Sequence, residues 1–161
     1  MVASDLAGVG VIPRDIRIAV TSEEAIQGAD IICTATTSMS PVFDGTKLKP
    51  GVHISAIGSY TPEMQEIPSE TVRCAHIVVD SLSATLAETG DLVIPIRSGL
   101  IKAEDINTEL GEIILGRKPG RKSPDEITLF KSVGIAAQDA MAAQAALEYA
   151  QKLGLGQTIA W

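Results

Sequence analysis

With 161 residues the chain fits one ordinary domain, long enough to bury about two-thirds of its unfolded surface. Apolar content of 45% excludes a disordered polymer, and 3% aromatic content means that the core must be aliphatic and alanine-rich. The net charge of −7 argues against nucleic acid as the main partner, because neutralising phosphates needs gathered Lys and Arg.

Met1 to Val11 is small and apolar, with Ala3, Leu6, Ala7 and Val11 at roughly helical spacing, and reads as a helix tail and turn. Its Gly8-Val9-Gly10 does not make a dinucleotide fingerprint, since no strand precedes it and Pro13 follows. Ile16–Val20 reads as a short strand. Thr21 or Ser22 then caps a helix that ends near Gly28. Ala29–Thr36 is almost wholly apolar, as in a parallel sheet covered on both faces. Cys33 in this run and Cys74 further on read as buried free thiols; with only His53 and His76 beside them they make no zinc site.

Pro50-Gly51 opens into the alternating run Val52–Ile57, a strand that stops at Gly58-Ser59-Tyr60-Thr61-Pro62. In open α/β sheets ligands sit outside the carboxyl ends of strands. A Gly-Ser pair there lets a ligand come close to the backbone, so Gly58–Thr61 is the expected floor of a site. Ile67–Val72 reads as a short helix, His76–Asp80 as a strand and Ser81–Thr89 as a helix capped by Ser81 and ended by Gly90-Asp91. Ala103–Leu115 reads as a helix with Ile106, Leu110, Ile113 and Ile114 inward. Gly116–Lys122 is a solvated basic turn. Glu126–Val133 alternates as a last strand, and Gly134–Gln151 is a long alanine-rich helix.

Strands alternating with helices predict an α/β fold with a largely parallel sheet. Ala29–Thr36, Val52–Ile57 and His76–Asp80 are expected as parallel neighbours. No basic leader or run of membrane-spanning length is visible, so a reducing, cytoplasmic setting away from membranes is expected.

Five segments resemble the ornithine cyclodeaminase/mu-crystallin family, nearest its Δ1-pyrroline-2-carboxylate (ketimine) reductase branch. They are ADIICTATTSMSPVFDG, LKPGVHISAIGSYTPEMQEIP, VVDSLSATLAETGDLVIPI, ELGEIILGRKPGR and EITLFKSVGIAAQDAMAAQAALEYA, in order between about Ile16 and Ala150. The resemblance implies that residues 1–161 are the second half of a Rossmann-like NAD(P)-binding domain, with the family's C-terminal helical segment from about 134. The substrate-binding half and the Gly-rich nucleotide turn would precede Met1. In the usual strand order Ile16–Val20 would lie across two missing strands from Ala29–Thr36, leaving two sheet edges exposed.

The resemblance also assigns a site. Thr34, Ala35, Thr36, Gly58, Ser59, Tyr60 and Ser132 would face NADH or NADPH, and Thr61, Glu88, Thr89 and Val133 the substrate, with Tyr60 the candidate catalytic residue. No metal is implied. Cyclodeaminases of the family carry an Asp where this chain has Tyr60, and some relatives have a Lys in place of Met64. Phenols ordinarily titrate at about 10 and are poor bases at neutral pH. Ring closure with loss of ammonia needs a group that manages protons, whereas reducing a preformed imine needs chiefly hydride. Tyr60 therefore favours reduction of a cyclic imino acid to an L-proline-type product by the intact parent, expected as a homodimer, with the 161-residue chain inactive by itself. The alternatives are an ornithine cyclodeaminase or alanine dehydrogenase-like enzyme, and a non-catalytic remnant that self-associates through exposed edges.

Overall fold

The computed structural model describes residues 2–157 and 159. Four strands, β1 (Ile31–Thr34), β2 (His53–Ala56), β3 (His76–Val79) and β4 (Thr128–Lys131), form an all-parallel sheet in the order β1-β2-β4-β3. The register aligns Ile32, Ile54, Leu129 and Ile77 in one row and Thr34, Ala56, Lys131 and Val79 in the next. Side chains alternate across a strand, so these rows share one face. That face is the core, where Ile54, Ala56, Leu129 and Val79 have no exposed surface. The packing elements are α3 (Ser69–Cys74) through Val72 and α5 (Gly90–Arg97) through Leu92, joined by Phe43, Ile67, Ile101 and Ile106. Truncating a residue such as Ile54 to Ala should cost about 2–5 kcal/mol.

Hydroxyl side chains cap the start of two helices. Thr21 accepts the Glu24 N–H at 3.1 Å to open α2 (Ser22–Ile26), and the Ser81 hydroxyl caps α4 (Leu82–Glu88) through Ala84 N. The expected helix at the start is α1 (Val2–Leu6); Met1 and the side chains of Val2 and Ala3 lie outside the described residues. The last helix, α7 (Ala136–Leu153), ends at Gly154 in the left-handed conformation, φ 64°, and none of its residues is buried. Of the expected C-terminal segment, Thr158, Ala160 and Trp161 lie outside the described residues.

Several expectations need correction. Ile16–Val20 is not a strand. It runs unpaired, with Ile18 77% and Val20 91% exposed, because apolar alternation makes a strand only where a neighbour bonds its backbone. β2 and β3 are not neighbours, since β4 enters between them and pairs with both. Gly90-Asp91 does not end the helical region. Thr89 is at once the C-cap of α4 and the N-cap of α5, which carries Pro95 inside it. Ala103–Leu115 is not one helix. A 3-10 turn at Ala103–Asp105 gives way to an extended pair, where Val79 N donates to Thr108 O at 3.0 Å and Val79 bridges Glu109, before α6 (Leu110–Ile114). That pair lies against the outer edge of β3. Of the two edges expected open, that of Ile16–Val20 does not form, and that of β1 lacks a strand partner among the described residues. Both cysteines are exposed rather than buried. Cys33 projects with Ile31 from the second face of the sheet, which α6 and the 117–122 loop cover only in part. No helix among the described residues is long and apolar enough to cross a membrane.

Candidate active site at the carboxyl edge of the sheet

Parallel strands bring their carboxyl ends to one edge. There Ile57 N donates to Thr34 O at 2.9 Å and Ser132 N to Ala56 O at 3.1 Å, so the ends of β1, β2 and β4 are joined side by side. Gly58 is required at this junction. A Cβ on it would lie 2.1 Å from Thr36 O and 2.5 Å from the Glu66 carboxylate, so the missing side chain admits the neighbouring strand end rather than a ligand.

Glu66 holds the junction together. Its carboxylate has no exposed surface and accepts from Thr36 N (2.5 Å) on Oε1 and from Thr34 Oγ1 (2.9 Å), Gly58 N (2.8 Å) and Ser59 N (3.2 Å) on Oε2. Burial pushes this carboxyl up, but the hydrogen bonds from Thr36, Thr34 and Gly58 outweigh it and hold the group below the ordinary carboxylate value. The loop from Ser59 to Glu66 is folded onto the start of α5. The Ser59 hydroxyl donates to Met64 O at 2.7 Å and meets Thr89 Oγ1 at 2.8 Å, and Gly90 N donates to Thr61 O at 2.9 Å.

A second buried layer lies behind Glu66. Asp91 Oδ1 accepts from Glu66 N (2.7 Å) and Ile67 N (2.9 Å), while Oδ2 faces Lys131 Nζ at 3.3 Å without hydrogen-bond geometry. Neither side chain has any exposed surface. Burial raises the Asp91 carboxyl above its ordinary value and depresses the Lys131 ammonium; in each case the opposite charge offsets only part of the shift. Asp80 braces the turn after β4, where its Oδ2 accepts from Ser132 Oγ (2.7 Å), Val133 N (3.0 Å) and Gly134 N (2.8 Å).

The structure thus gathers Thr34, Thr36, Gly58 and Ser59 around Glu66, sets Thr89 under Ser59, and joins Thr61 to the start of α5. Ser132 and Val133 form a separate group on Asp80, and Glu88 is exposed at the end of α4. The hydroxyls of Ser59 and Ser132 are committed to protein partners. What the edge offers a ligand is an exposed shelf of Ala35, Thr36, Ile57 and Tyr60, the phenol-bearing residue 55% exposed. Glu66, Asp80, Asp91 and Lys131 escaped the reading of the sequence. Lys131 did leave a signal, since it occupies an inward position of an alternating strand, where a charge needs a buried partner.

A cavity of about 480 Å³ lies elsewhere, on the half-covered second face of the sheet among His53, His76, Leu110, Arg121 and Phe130. His53 Nδ1 meets Thr128 Oγ1 there at 2.8 Å, and burial, then the nearby Arg121 charge, depress its imidazole below the ordinary value. Among the described residues no three His, Cys, Asp or Glu side chains gather as a metal site.

The sequence profile of the Ornithine cyclodeaminase/mu-crystallin family matches residues 6–153. The chain is 51% identical over 139 residues to a Delta(1)-pyrroline-2-carboxylate reductase of Bacillus cereus, covering 86% of this chain and 42% of that protein. It superposes with a TM-score of 0.80 and 42% identity on the Thermococcus litoralis Delta(1)-pyrroline-2-carboxylate reductase solved with NADH and L-proline, covering 86% of this chain and 43% of the other. An archaeal alanine dehydrogenase dimer with bound NAD gives a TM-score of 0.78 at 34% identity, over 94% and 46%. The chain spans less than half the length of these proteins.

Proposed function

The chain belongs to the ornithine cyclodeaminase/mu-crystallin family, and from that premise we propose that the whole protein reduces a cyclic imino acid of the Δ1-pyrroline-2-carboxylate type with NADH or NADPH. The single observation that carries the proposal is the 51% identity to a reductase of that imine across 86% of the chain, which includes the Gly58–Thr61 shelf.

The residues present fit a dinucleotide at the carboxyl edge. Ala35 and Thr36 are small and exposed, and Gly58 lets the two strand ends lie flush, so a flat ring would meet little obstruction. Bound there, the nicotinamide would supply hydride to the imine carbon. The chain's own part is to bind and orient. Thr34–Thr36 and Gly58–Tyr60 form the cofactor side, with Ser132 in the turn beyond, and Thr61, Thr89 and Val133 border the substrate side. The exposed Glu88 belongs to that side only if the substrate reaches the end of α4. Ser59 and Thr89 serve by fixing the loop, since the Ser59 hydroxyl is spent on Met64 O and on the Thr89 hydroxyl. Tyr60 presents a hydroxyl where a cyclodeaminase would need a carboxylate, and imine reduction can take its proton from the iminium or from solvent.

The whole protein is further proposed to be a homodimer, a reading supported by the alanine dehydrogenase dimer and by the uncovered α7. By itself the 161-residue chain should bind NADH no tighter than roughly the millimolar range. Joined in frame behind the N-terminal portion of the Bacillus cereus relative, it should oxidise NADH or NADPH when Δ1-pyrroline-2-carboxylate is added. Ammonia release from ornithine at a comparable rate would overturn the assignment.

A further inference from the structure

We propose that Glu66 is the positioning residue of the dinucleotide shelf, its ionised carboxylate setting the spacing of the β1 and β2 ends on which the nicotinamide half of NAD(P)H would rest; the claim rests on the function proposed above.

The argument begins with donors. Thr36 N–H, Gly58 N–H and Ser59 N–H all turn inward at the strand ends, joined by the Thr34 hydroxyl. No strand lies beyond β1 among the described residues to take such groups, and buried N–H groups left unpaired are costly. Only an acceptor with no proton of its own on either oxygen can serve both sides at once, which a carboxylate does and an amide does not. Glu66 therefore ties β1 to β2 above the last strand-to-strand bond, at the level of the exposed Ala35, Thr36 and Tyr60.

Its own place is fixed from behind. The Glu66 and Ile67 amides are held by Asp91, and Asp91 faces Lys131 at the end of β4. The carboxylate cannot follow a moving strand end, so it sets the shelf rather than adapting to it. Because every one of these groups lies beneath the shelf, Glu66 acts through Thr36 and Gly58 and touches no ligand itself.

Glu66→Gln separates bracing from binding. Whichever way the amide is turned, its NH2 faces a donor, Thr36 N–H on one side or the group on Gly58, Ser59 and Thr34 on the other. The test uses the labelled 161-residue chain, followed by amide NMR with NADH and, separately, by hydrogen exchange. In the wild type NADH should shift the signals of Ala35–Thr37 and Ile57–Thr61, and the amides of Thr36, Gly58 and Ser59 should be protected. Glu66→Gln should keep the spectrum of Ile54 and Leu129, lose protection at least tenfold at those three amides, and raise the NADH dissociation constant at least fivefold. Thr34→Val, which deletes one donor, should show a smaller change of the same sign. Thr85→Val removes a buried hydroxyl bonded to Ser81 O in α4, and should lower the melting temperature without altering NADH affinity. A wild-type dissociation constant in folded Glu66→Gln would overturn the positioning role even if protection is lost. Unprotected wild-type amides would overturn the bracing itself. If NADH well above the millimolar range shifts no signal in the wild type, the cofactor reading of this edge falls and the positioning claim with it, while intact protection would still record the brace.

Discussion

The Lys131–Asp91 pair makes the most quantitative prediction. Both side chains are wholly buried and 3.3 Å apart; Asp91 is the main compensation for the lost hydration of Lys131, and Lys131 adds to the Ile67 and Glu66 N–H groups that hold Asp91. Replace Lys131 with Met and Asp91 must take up a proton to remain inside. At pH 7, neutralising a carboxyl of ordinary value 3.8 costs about 4.4 kcal/mol, at about 1.36 kcal/mol per pH unit, which is the ceiling of the deficit because burial already raises Asp91 in the wild type. The native variant then holds a proton that the unfolded chain lacks, so stability falls as pH rises above that value. At pH 5 the deficit should shrink to about 1.6 kcal/mol. Asp91→Asn has the opposite slope. Lys131, ordinarily near 10.5, keeps only the weaker attraction of Glu66 and Asp80 and releases its proton to stay buried, at no more than about 4.8 kcal/mol at pH 7 and about 2 kcal/mol at pH 9. The double variant should recover most of either loss, because replacing both members of a buried pair is often close to neutral. Urea unfolding followed by circular dichroism at pH 5, 7 and 9 reads all three. Single variants within about 1 kcal/mol of wild type throughout, or slopes of the same sign, would refute the reasoning.

Gly58→Ala forces a methyl to within 2.1 Å of Thr36 O and should cost about 1–3 kcal/mol with local displacement of β1 from β2, measurable by thermal unfolding and by the Thr36 amide shift. In the restored enzyme, Tyr60→Phe should lower kcat/KM by about tenfold or less; a loss of about 10²–10⁴-fold would make Tyr60 a general acid instead. His53, held below its ordinary value of 6.5 first by burial and then by Arg121, favours its neutral form. The unfolded chain therefore binds the proton first, and stability should fall as pH drops below about 6.5, with imidazole NMR giving a midpoint under that value.

How much of this could be read from the sequence depended on whether a segment's structure is decided locally. The strands showed because alternation reports burial directly, and Ser81 and Thr21 showed because a cap is a short-range bond. Ile16–Val20 carries the same alternation and forms nothing, since its pairing would need another strand. The place of β4 between β2 and β3 is likewise a long-range fact. Gly90 was misread because glycine commonly ends helices; here a Cβ would strike Met64 O at 2.2 Å, so the residue is there for close packing. The site residues Thr34, Gly58 and Ser59 are visible through the family resemblance. Glu66 is not, because a Glu in a polar turn looks solvated, and only the fold reveals that four donors converge on it.

The strand order has a consequence in time. As the chain is made, β1 and β2 can pair at once, separated by fewer than twenty residues of linker. β3 follows but has no strand neighbour until β4 emerges about fifty residues later. At roughly 5–20 residues per second that interval lasts on the order of 2–10 s. Until then the apolar His76–Val79 segment has at most the short Thr108–Glu109 pair on its outer edge, and the acceptors that Asp80 and Asp91 provide have neither their turn nor their lysine. The arrival of Thr128–Lys131 inserts a strand and delivers the buried cation in one step. Assembly of the sheet is therefore gated by its last strand, and a ribosome pause placed between Leu110 and Glu126 would lengthen the most aggregation-exposed stage of this protein's synthesis.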